Sequence, residues 1–231
     1  MASEPTTVTI DKTSRAIVWG GIPLVGAALG LGLALLTEWI ASLPWFPFQG
    51  LFELLTGLRD AYLWAGGIAA GMMIGFAFAT FAANELLRAT VSNTGVELSS
   101  GEWKRTFPKD DIASAVHAGE ELVLADKHNG ELAREDCDLD WDELAAAFRK
   151  HGYAWADSDP HESEFEYWPG NSTALSPELN EALKTRAAAI ANDKTDDARS
   201  IRDDLASHGV VVKTVKKKQY WRRSGGTSTA E

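Results

Sequence analysis

The sequence predicts an integral membrane α-helical hairpin, followed by a small β-rich domain with one C-terminal helix and by a small module of a helical hairpin plus a β-hairpin. Two uncharged stretches indicate the membrane part, since no residue is charged between Arg15 and Glu38 or between Asp60 and Glu85. After Glu85, short runs separated by turn residues indicate strands. The formal net charge of the whole chain is -11, and nearly all the remaining charge lies after Glu85. We therefore expect a membrane part followed by a soluble part.

The 231 residues divide into eight predicted segments. They are a polar cytoplasmic leader (1–15), transmembrane helix 1 (16–37), an external interfacial loop (38–61), transmembrane helix 2 (62–84), the β-rich domain with its terminal helix (85–156), an acidic linker (157–176), the terminal module (177–223) and a flexible tail (224–231).

The two apolar stretches have the length and composition of transmembrane helices. At 1.5 Å per residue, "AIVWGGIPLVGAALGLGLALL" reaches roughly 30 Å, the thickness of the hydrocarbon core of a bilayer. It follows a mostly polar leader and is longer than the apolar core of a cleaved signal peptide, so we expect it to be retained. The connection is broken by Pro44 and Pro47, as is typical of a segment in the membrane interface.

Small residues recur every four positions in both stretches and predict close helix packing. These residues are Gly26, Gly30 and Ala34 in the first stretch and Gly67, Gly71, Gly75 and Ala79 in the second. Two interpretations are open: the rows pack on each other within one chain, or they form the face of a homodimer. Neither stretch contains Asp, Glu, Lys, Arg or His, which argues against a transporter.

The distribution of basic residues predicts that both termini are cytoplasmic. Lys12 and Arg15 precede the first stretch, Arg88 and Lys104 follow the second, and Arg59 is the only basic residue in the connection. Lys and Arg are enriched in cytoplasmic segments next to spans. We therefore expect two spans in the plasma membrane, with the lipid bilayer as the first partner.

Six short runs after Arg88 predict antiparallel strands, and one helix follows them. Asp140 is a good N-cap residue, Glu143 holds the capping-box position, and Gly152 can end the helix. The segment "VSNTGVELSSGEWKRTFPKDDIASAVHAGEELVLADKHNGELAREDCDLDWDELAAAFRKHGY" resembles the bacterial pleckstrin-homology-like (PH-like) domain of the YqeB-like membrane proteins. The resemblance implies a PH-like fold, but it does not by itself imply lipid binding.

The remaining motifs give no support for an enzyme, a metal site or a cofactor. The alternating acids of "DCDLDWDE" lack the glycine and the final glutamate of a calcium loop, since Trp141 and Ala147 hold those positions. No histidines have the spacing of metal ligands, and we find neither a phosphate-binding loop nor a nucleophile elbow. The single cysteine, Cys137, lies between two aspartates, which raise the pKa of a thiol, so we expect a structural role for it.

The end of the chain predicts a second module after the acidic linker. Ser176 and Pro177 begin one helix, Gly209 ends the next, and two strand-like pieces follow. The stretch "ALKTRAAAIANDKTDDARSIRDDLASHGVVVKTVKKKQYWRR" resembles the C-terminal module of cysteinyl-tRNA synthetases, and the pairing of both modules is similar to the YqeB-like proteins. The chain departs from the synthetase pattern at Lys216, Lys217 and Lys218, where an acid and a glycine-containing turn are more usual.

A basic run near the C-terminus is the candidate binding site. Its residues are Lys213, Lys216, Lys217, Lys218, Tyr220, Arg222 and Arg223. One interpretation is structural, with Trp221 packed on the helices and the lysines solvating a turn. The functional hypothesis that needs no further chemistry is a non-enzymatic membrane-anchored adaptor whose two modules bind a protein partner. The alternatives are RNA binding by the basic run, which the resemblance to a synthetase suggests, and binding to an anionic lipid surface.

Overall fold

The computed structural model describes residues 4–10, 12–37 and 60–225. It divides into two compact units, one of residues 10–86 and one of residues 1–9 and 87–231. Most of the predicted external loop, 38–61, and most of the predicted tail, 224–231, lie outside the described residues.

The smaller unit is a pair of packed helices. Helix α1 consists of Lys12–Ala16, a π-helical turn at Ile17–Gly21, and Ile22–Leu35. Helix α2 is Asp60–Glu85. Both are long and apolar enough to cross a membrane, over Thr13–Leu35 and Ala61–Glu85.

Glycines let the backbones of α1 and α2 approach each other. A Cβ atom added to Gly30 would collide with the main chain of Gly67, and one added to Gly26 would collide with that of Gly71. A Cβ atom at Gly75 would lie 2.7 Å from the Cα atom of Pro23. The two rows of small residues therefore face each other within one chain, and a homodimer through this face would require the hairpin to open.

The larger unit begins with the β-rich domain, which has two four-stranded sheets and one helix. The first sheet has the order β1-β2-β3-β4 and the second the order β7-β6-β5-β8, in which β8 runs parallel to β5. The elements are β1 Thr6–Val8, β2 Arg88–Val91, β3 Gly95–Ser100, β4 Trp103–Pro108, a 3₁₀ turn Lys109–Asp111, β5 Ile112–Ala118, β6 Glu121–Asp126, β7 Glu131–Asp136, helix α3 Trp141–Lys150 and β8 Ala154–Ala156. The six predicted strands, β2 to β7, are all present.

The predicted caps of α3 are confirmed. The carboxylate of Asp140 accepts hydrogen bonds from the backbone N–H groups of Asp142 and Glu143, at 2.9 and 3.0 Å. Gly152 follows the helix with a φ of +73°, a conformation that glycine adopts without steric cost. Leu144 and Phe148 bury the inner face of α3 in the core between the sheets.

Strand β1 was not predicted from the sequence. It lies in the segment that the sequence analysis describes as a leader, and it pairs antiparallel with β2, with Val8 opposite Ala89. The chain leaves the sheet after Val8 and returns at Arg88, so the helical hairpin is an insertion between the first two strands of the β-rich domain.

The terminal module has a separate core. Helices α4 Pro177–Ala191 and α5 Thr195–Ser207 pack on a sheet of order β10-β11-β9, formed by β9 Glu166–Tyr167, β10 Val210–Val215 and β11 Lys218–Arg223. A 3₁₀ turn, Glu162–Glu164, precedes β9. Leu183, Leu205, Val212 and Trp221 lie in this core. The N-cap of α4 is Ser176, which accepts from the N–H of Leu179 at 3.3 Å.

The predicted acidic linker is part of the terminal sheet instead of a solvated connection. Tyr167 pairs with Tyr220, and Trp168 is buried in the core of the module, where its indole N–H donates to Asn180 at 3.1 Å. Trp168 explains the difference, because burying its ring offsets the entropic cost of ordering an otherwise polar segment.

Candidate interaction surfaces

The basic run forms the hairpin β10-turn-β11, and the alternation of the strands divides its side chains between two faces. One face, with Val212 and Trp221, covers the helices. The other contains Lys213 and Arg222, and the register places Lys213 opposite Tyr220 and Val211 opposite Arg222. Lys213, Lys218, Tyr220 and Arg222 therefore share one face of the hairpin, and Arg223 lies on the other face.

The turn of this hairpin is made by lysines in a left-handed backbone conformation. Lys216 and Lys217 have φ angles of 50° and 63°, as required by the tight two-residue turn between paired Val215 and Lys218. This conformation costs an L-residue other than glycine roughly 1–2 kcal/mol. The side chains of Lys216, Lys217 and Lys218 are exposed, and the described residues include no ion pair to any of them.

Two tyrosines continue the exposed part of the hairpin. The rings of Tyr167 and Tyr220 lie 5.6 Å apart, and Nζ of Lys218 lies 5.8 Å from the ring of Tyr167. Tyr167 is half-exposed. We call Tyr167, Lys216, Lys217, Lys218 and Tyr220 the lysine-tyrosine strip.

Three other residues of the predicted site are used within the chain. The ammonium group of Lys213 donates to Glu162 at 2.5 Å, and the guanidinium of Arg222 donates to the carbonyl of Asn129 at 2.7 Å. Both side chains are buried. Arg223 is exposed but donates to the carbonyl of Ala174 at 2.6 Å. Binding of an external anion by Lys213 or Arg222 would thus require the surrounding contacts to open.

Phe165 lies at the centre of this buried charge. Its ring centroid is 4.4 Å from Nζ of Lys213. The guanidinium carbons of Arg222 and Arg134 lie 5.3 and 5.5 Å from the same centroid. Cations over an aromatic face are attracted by the ring quadrupole, most strongly where water is excluded. Phe165 therefore joins the terminal sheet to the β-rich domain.

Arg134 is the most highly coordinated cation of this region. Its guanidinium donates to Glu131 at 2.7 and 2.9 Å, to Glu121 at 2.5 Å and to Asp159 at 3.1 Å. Although burial disfavours the charge, the pKa of Arg134 is raised because these carboxylates stabilise the cation. The pKa of the Glu121 carboxyl group is raised. Burial raises this pKa more than the nearby positive charge of Arg134 lowers it.

Helix α5 contacts the β-rich domain through arginines one turn apart. Arg202 donates to Oε1 of Glu135 at 2.9 Å and also to the carbonyl of Arg134, and Arg199 donates to Oε2 of Glu135 at 3.1 Å. The carboxylate of Glu135 is thus shared by two arginines. Arg199 also lies over the ring of Trp103, with its guanidinium carbon 4.6 Å from the centroid.

Asp203 of α5 adds a contact of opposite sign, since it accepts from Arg105 at 2.6 Å. Lys104, the neighbour of Arg105, pairs with Glu97 at 2.9 Å, and Lys109 donates to the carbonyl of His151 at 2.5 Å. Lys104, Arg105 and Lys109 are therefore all engaged in contacts within the chain.

Arg186 in α4 is a buried cation with neutral partners. It donates to Gln219 at 2.7 Å and to Thr214 at 3.0 Å. Burial, reinforced by repulsion from Arg202, lowers the pKa of Arg186 to about 10. These bonds connect the helical pair to the base of the basic hairpin.

Two other features of the described residues are a buried thiol and an open cavity. Cys137 lies buried in the core of the β-rich domain, and burial raises the pKa of its thiol to about 11, with a smaller contribution from the adjacent aspartates. Within the described ranges, no group of three or more His, Cys, Asp or Glu side chains could hold a metal ion. An open cavity of about 360 Å³ lies between α4 and α5, beside Ala188, Asn192 and Ile201.

The contact formed by Glu135, Arg199 and Arg202 was not predicted from the sequence. One signal was available, because Arg199 and Arg202 lie three residues apart and therefore share a face of a helix. The position of Glu135 on β7 could not be connected to that face without the tertiary structure.

The β-rich domain, into which the helical hairpin is inserted, is a bacterial PH-like domain. The chain belongs to the family of the YqeB-like bacterial PH domain, whose model matches residues 6–156, from β1 through β8. The model of the cysteinyl-tRNA ligase anticodon binding domain matches residues 172–222. Both resemblances stated from the sequence are confirmed.

One curated relative matches nearly the whole chain. It is the Bacillus subtilis (strain 168) protein called "Uncharacterized protein YqeB", which is 31% identical over 220 residues, covering 95% of this chain and 92% of the relative. No solved structure matches the chain.

Proposed function

We propose that the protein is a membrane-anchored, non-enzymatic adaptor that presents its PH-like domain and terminal module at the cytoplasmic face of the plasma membrane. The lysine-tyrosine strip carries this proposal, because it combines three exposed lysines without ion pairs among the described residues and two adjacent aromatic rings. Exposed aromatic and cationic groups are typical of surfaces that bind other macromolecules.

The surface of the helical hairpin supports membrane anchoring. Large apolar side chains, among them Leu24, Leu29, Met73, Ile74 and Phe78, are mostly exposed, while glycines form the contact between the two helices. Apolar surface of this extent is costly in water and favourable in lipid. Membrane fractionation followed by carbonate extraction tests the anchor, and recovery of the chain in the soluble fraction would overturn it.

The pairing of β1 with β2 supports a topology of two spans. The strands lie on either side of the hairpin in sequence, so their pairing needs both ends of the hairpin on the same side of the membrane. The excess of Lys and Arg at those ends favours the cytoplasmic side. Labelling of single introduced cysteines in intact cells, at position 4 and position 225, should give no product until the membrane is permeabilised.

Affinity capture from membranes solubilised in mild detergent tests the adaptor role. The chain with Lys216, Lys217 and Lys218 replaced by glutamate should lose at least one partner that the wild type retains, because the exposed positive charge has been reversed. Lys184→Glu is the matched control, since Lys184 is an exposed lysine of the same module on α4. Capture that is identical in all three would contradict the adaptor proposal at this surface.

Capture without the spans shows whether the membrane takes part. Residues 4–9 form part of the first sheet, so deletion of the spans must retain them and join position 9 to position 87 through a flexible linker. A partner that is retained binds the larger unit directly, and a partner that is lost depends on the membrane.

RNA binding is the second candidate function, supported by the tyrosines beside the lysines and by the match to an anticodon binding domain. Single-stranded RNA should then bind with an affinity that falls steeply with salt and depends on Tyr220. Binding unaffected by the three-lysine reversal would contradict it. An anionic lipid surface is the remaining alternative, and liposome flotation that depends on anionic lipid would favour it over RNA.

A further inference from the structure

The terminal module holds strand β7 of the PH-like domain by a pattern suited to an extended peptide. Arg202 donates to the main-chain carbonyl of Arg134, and Arg222 lies 3.6 Å from the carboxylate of Glu131. Arg199 and Arg202 share the carboxylate of Glu135. A main-chain carbonyl combined with acidic side chains is what an acidic segment in extended conformation presents.

Charge holds the two parts together more than a common apolar core does. The core of the PH-like domain and the core of the terminal module share no residue. The contacts between the two parts include the ion pairs of Arg199 and Arg202 with Glu135 and of Arg105 with Asp203. Contacts between opposite charges weaken as salt rises, and separation of the parts would leave both cores intact.

We propose that Arg199, Arg202 and Arg222 form a peptide-binding surface, which β7 occupies in the resting chain, and that an acidic, extended segment of a partner protein binds there by displacing β7. The proposal rests on the adaptor function and specifies the chemistry of the partner.

The aromatic groups favour a peptide over single-stranded RNA as the occupant. The ring under Arg199 is that of Trp103, which belongs to the PH-like domain and would leave with β7. Single-stranded nucleic acid is usually held by bases stacked on aromatic side chains. The arginine surface itself supplies guanidinium groups, which bind carbonyls and carboxylates. It does not supply an aromatic ring at Arg199 on which a base could stack.

A synthetic peptide with the sequence of residues 129–136, "NGELARED", is the probe for this surface. Its matched control carries lysine in place of the glutamate that corresponds to Glu135. Fluorescence anisotropy with the full-length chain in detergent should show binding of the probe and at least tenfold weaker binding of the control. Hydrogen exchange should report faster exchange in residues 131–136 of the chain when the probe is bound.

Variants of the full-length chain distinguish the strength of the internal contact with β7 from the ability of the arginines to bind the probe. Glu135→Gln weakens the internal contact but keeps the side-chain shape, so it should bind the probe about tenfold more tightly than the wild type does. The double variant Arg199→Gln, Arg202→Gln should lose the probe, while Lys184→Glu should bind it as the wild type does. Thermal unfolding of each variant verifies that both cores are formed, and only folded variants are compared.

Three results would overturn the inference: no binding of the probe by the Glu135→Gln chain, equal binding of the probe and its lysine control, or displacement of β7 by polyuridylate as effective as displacement by the probe. The adaptor proposal would survive each of them if capture still depends on the lysine-tyrosine strip. Conversely, partner capture that does not depend on the lysine-tyrosine strip would contradict the adaptor proposal, whether or not the probe peptide binds.

Discussion

Nε2 of His151, at the end of α3, lies 2.9 Å from the hydroxyl oxygen of Thr6 in β1, joining the strand before the helical hairpin to the helix that closes the PH-like domain. The other ring nitrogen, Nδ1, lies 2.7 Å from Oδ1 of Asn93. Because that oxygen can only accept, Nδ1 carries the proton, and Nε2 of the neutral ring accepts from Thr6.

The buried His151 should make stability fall in mild acid. Burial and the nearby Lys150 and Lys109 lower the pKa of His151 below its ordinary value of 6.5. The unfolded chain then binds a proton near pH 6.5 while the folded chain does not, so the contribution of the neutral ring is present above this pH and is lost as the pH falls towards the folded pKa. Urea unfolding at pH 7.5 and 5.5 should show a larger loss for the wild type than for His151→Gln. Equal losses would contradict this role of His151.

Removal of the Thr6 hydroxyl should weaken the attachment of β1. The hydroxyl also accepts from Lys150 at 3.0 Å, and Thr6→Val removes the hydrogen bond to the buried His151 ring at a cost of about 1–3 kcal/mol. Thr7→Val is the matched control, since the hydroxyl of Thr7 makes an exposed contact with Thr90, and we expect a change within about 0.5 kcal/mol. Urea unfolding of both variants measures the difference, and equal effects would be inconsistent with the His151 contact.

The glycines of α1 provide a matched pair for testing the packing of the helical hairpin. A Cβ atom at Gly30 would collide with the carbonyl of Gly67, whereas one at Gly32 has open space around it. Gly30→Ala should therefore destabilise the hairpin by about 1–3 kcal/mol, as overpacking generally does, and Gly32→Ala should not. Unfolding of the full chain by SDS in mixed micelles gives both values. A larger effect at Gly32 would show that the helices meet through another face.

A glycine should relieve the lysine turn of its backbone strain. Lys217→Gly should raise the free energy of unfolding by about 1 kcal/mol, because Lys217 has a positive φ that disfavours a side chain. Lys218→Gly is the control and should lower it by about 0.5–1 kcal/mol, since Lys218 lies in the regular part of β11. Equilibrium unfolding in urea compares them, and a loss of stability in Lys217→Gly would mean that its side chain makes a stabilising contact.

Local signals predicted most of the regular structure. Alternation of apolar and polar residues gave β2 to β7, Asp140 and Gly152 gave the ends of α3, and Ser176 gave the start of α4. Strands β1, β8 and β9 have only two or three residues and exist because of partners distant in sequence. No local pattern predicts such strands, since their stability comes from pairing and burial.

The basic run shows the same division. Its composition and spacing predicted a β-hairpin, and the departure from the synthetase pattern at Lys216 to Lys218 indicated an unusual turn. Only the tertiary structure separated the buried cations, Lys213 and Arg222, from the exposed ones, because their partners are Glu162 and Asn129, 51 and 93 residues away.

The sequence by itself determined the two apolar helices and the existence of two modules, because uncharged length, periodicity and capping residues act within a few turns of chain. The family followed from the resemblance of the sequence to known proteins. The tertiary structure decided that β1 belongs to the PH-like domain and that the arginines of α5 bind the carboxylate of Glu135 on β7. Both depend on contacts between residues far apart in sequence, and the contact at Glu135 depends further on the geometry of two arginines that meet one carboxylate.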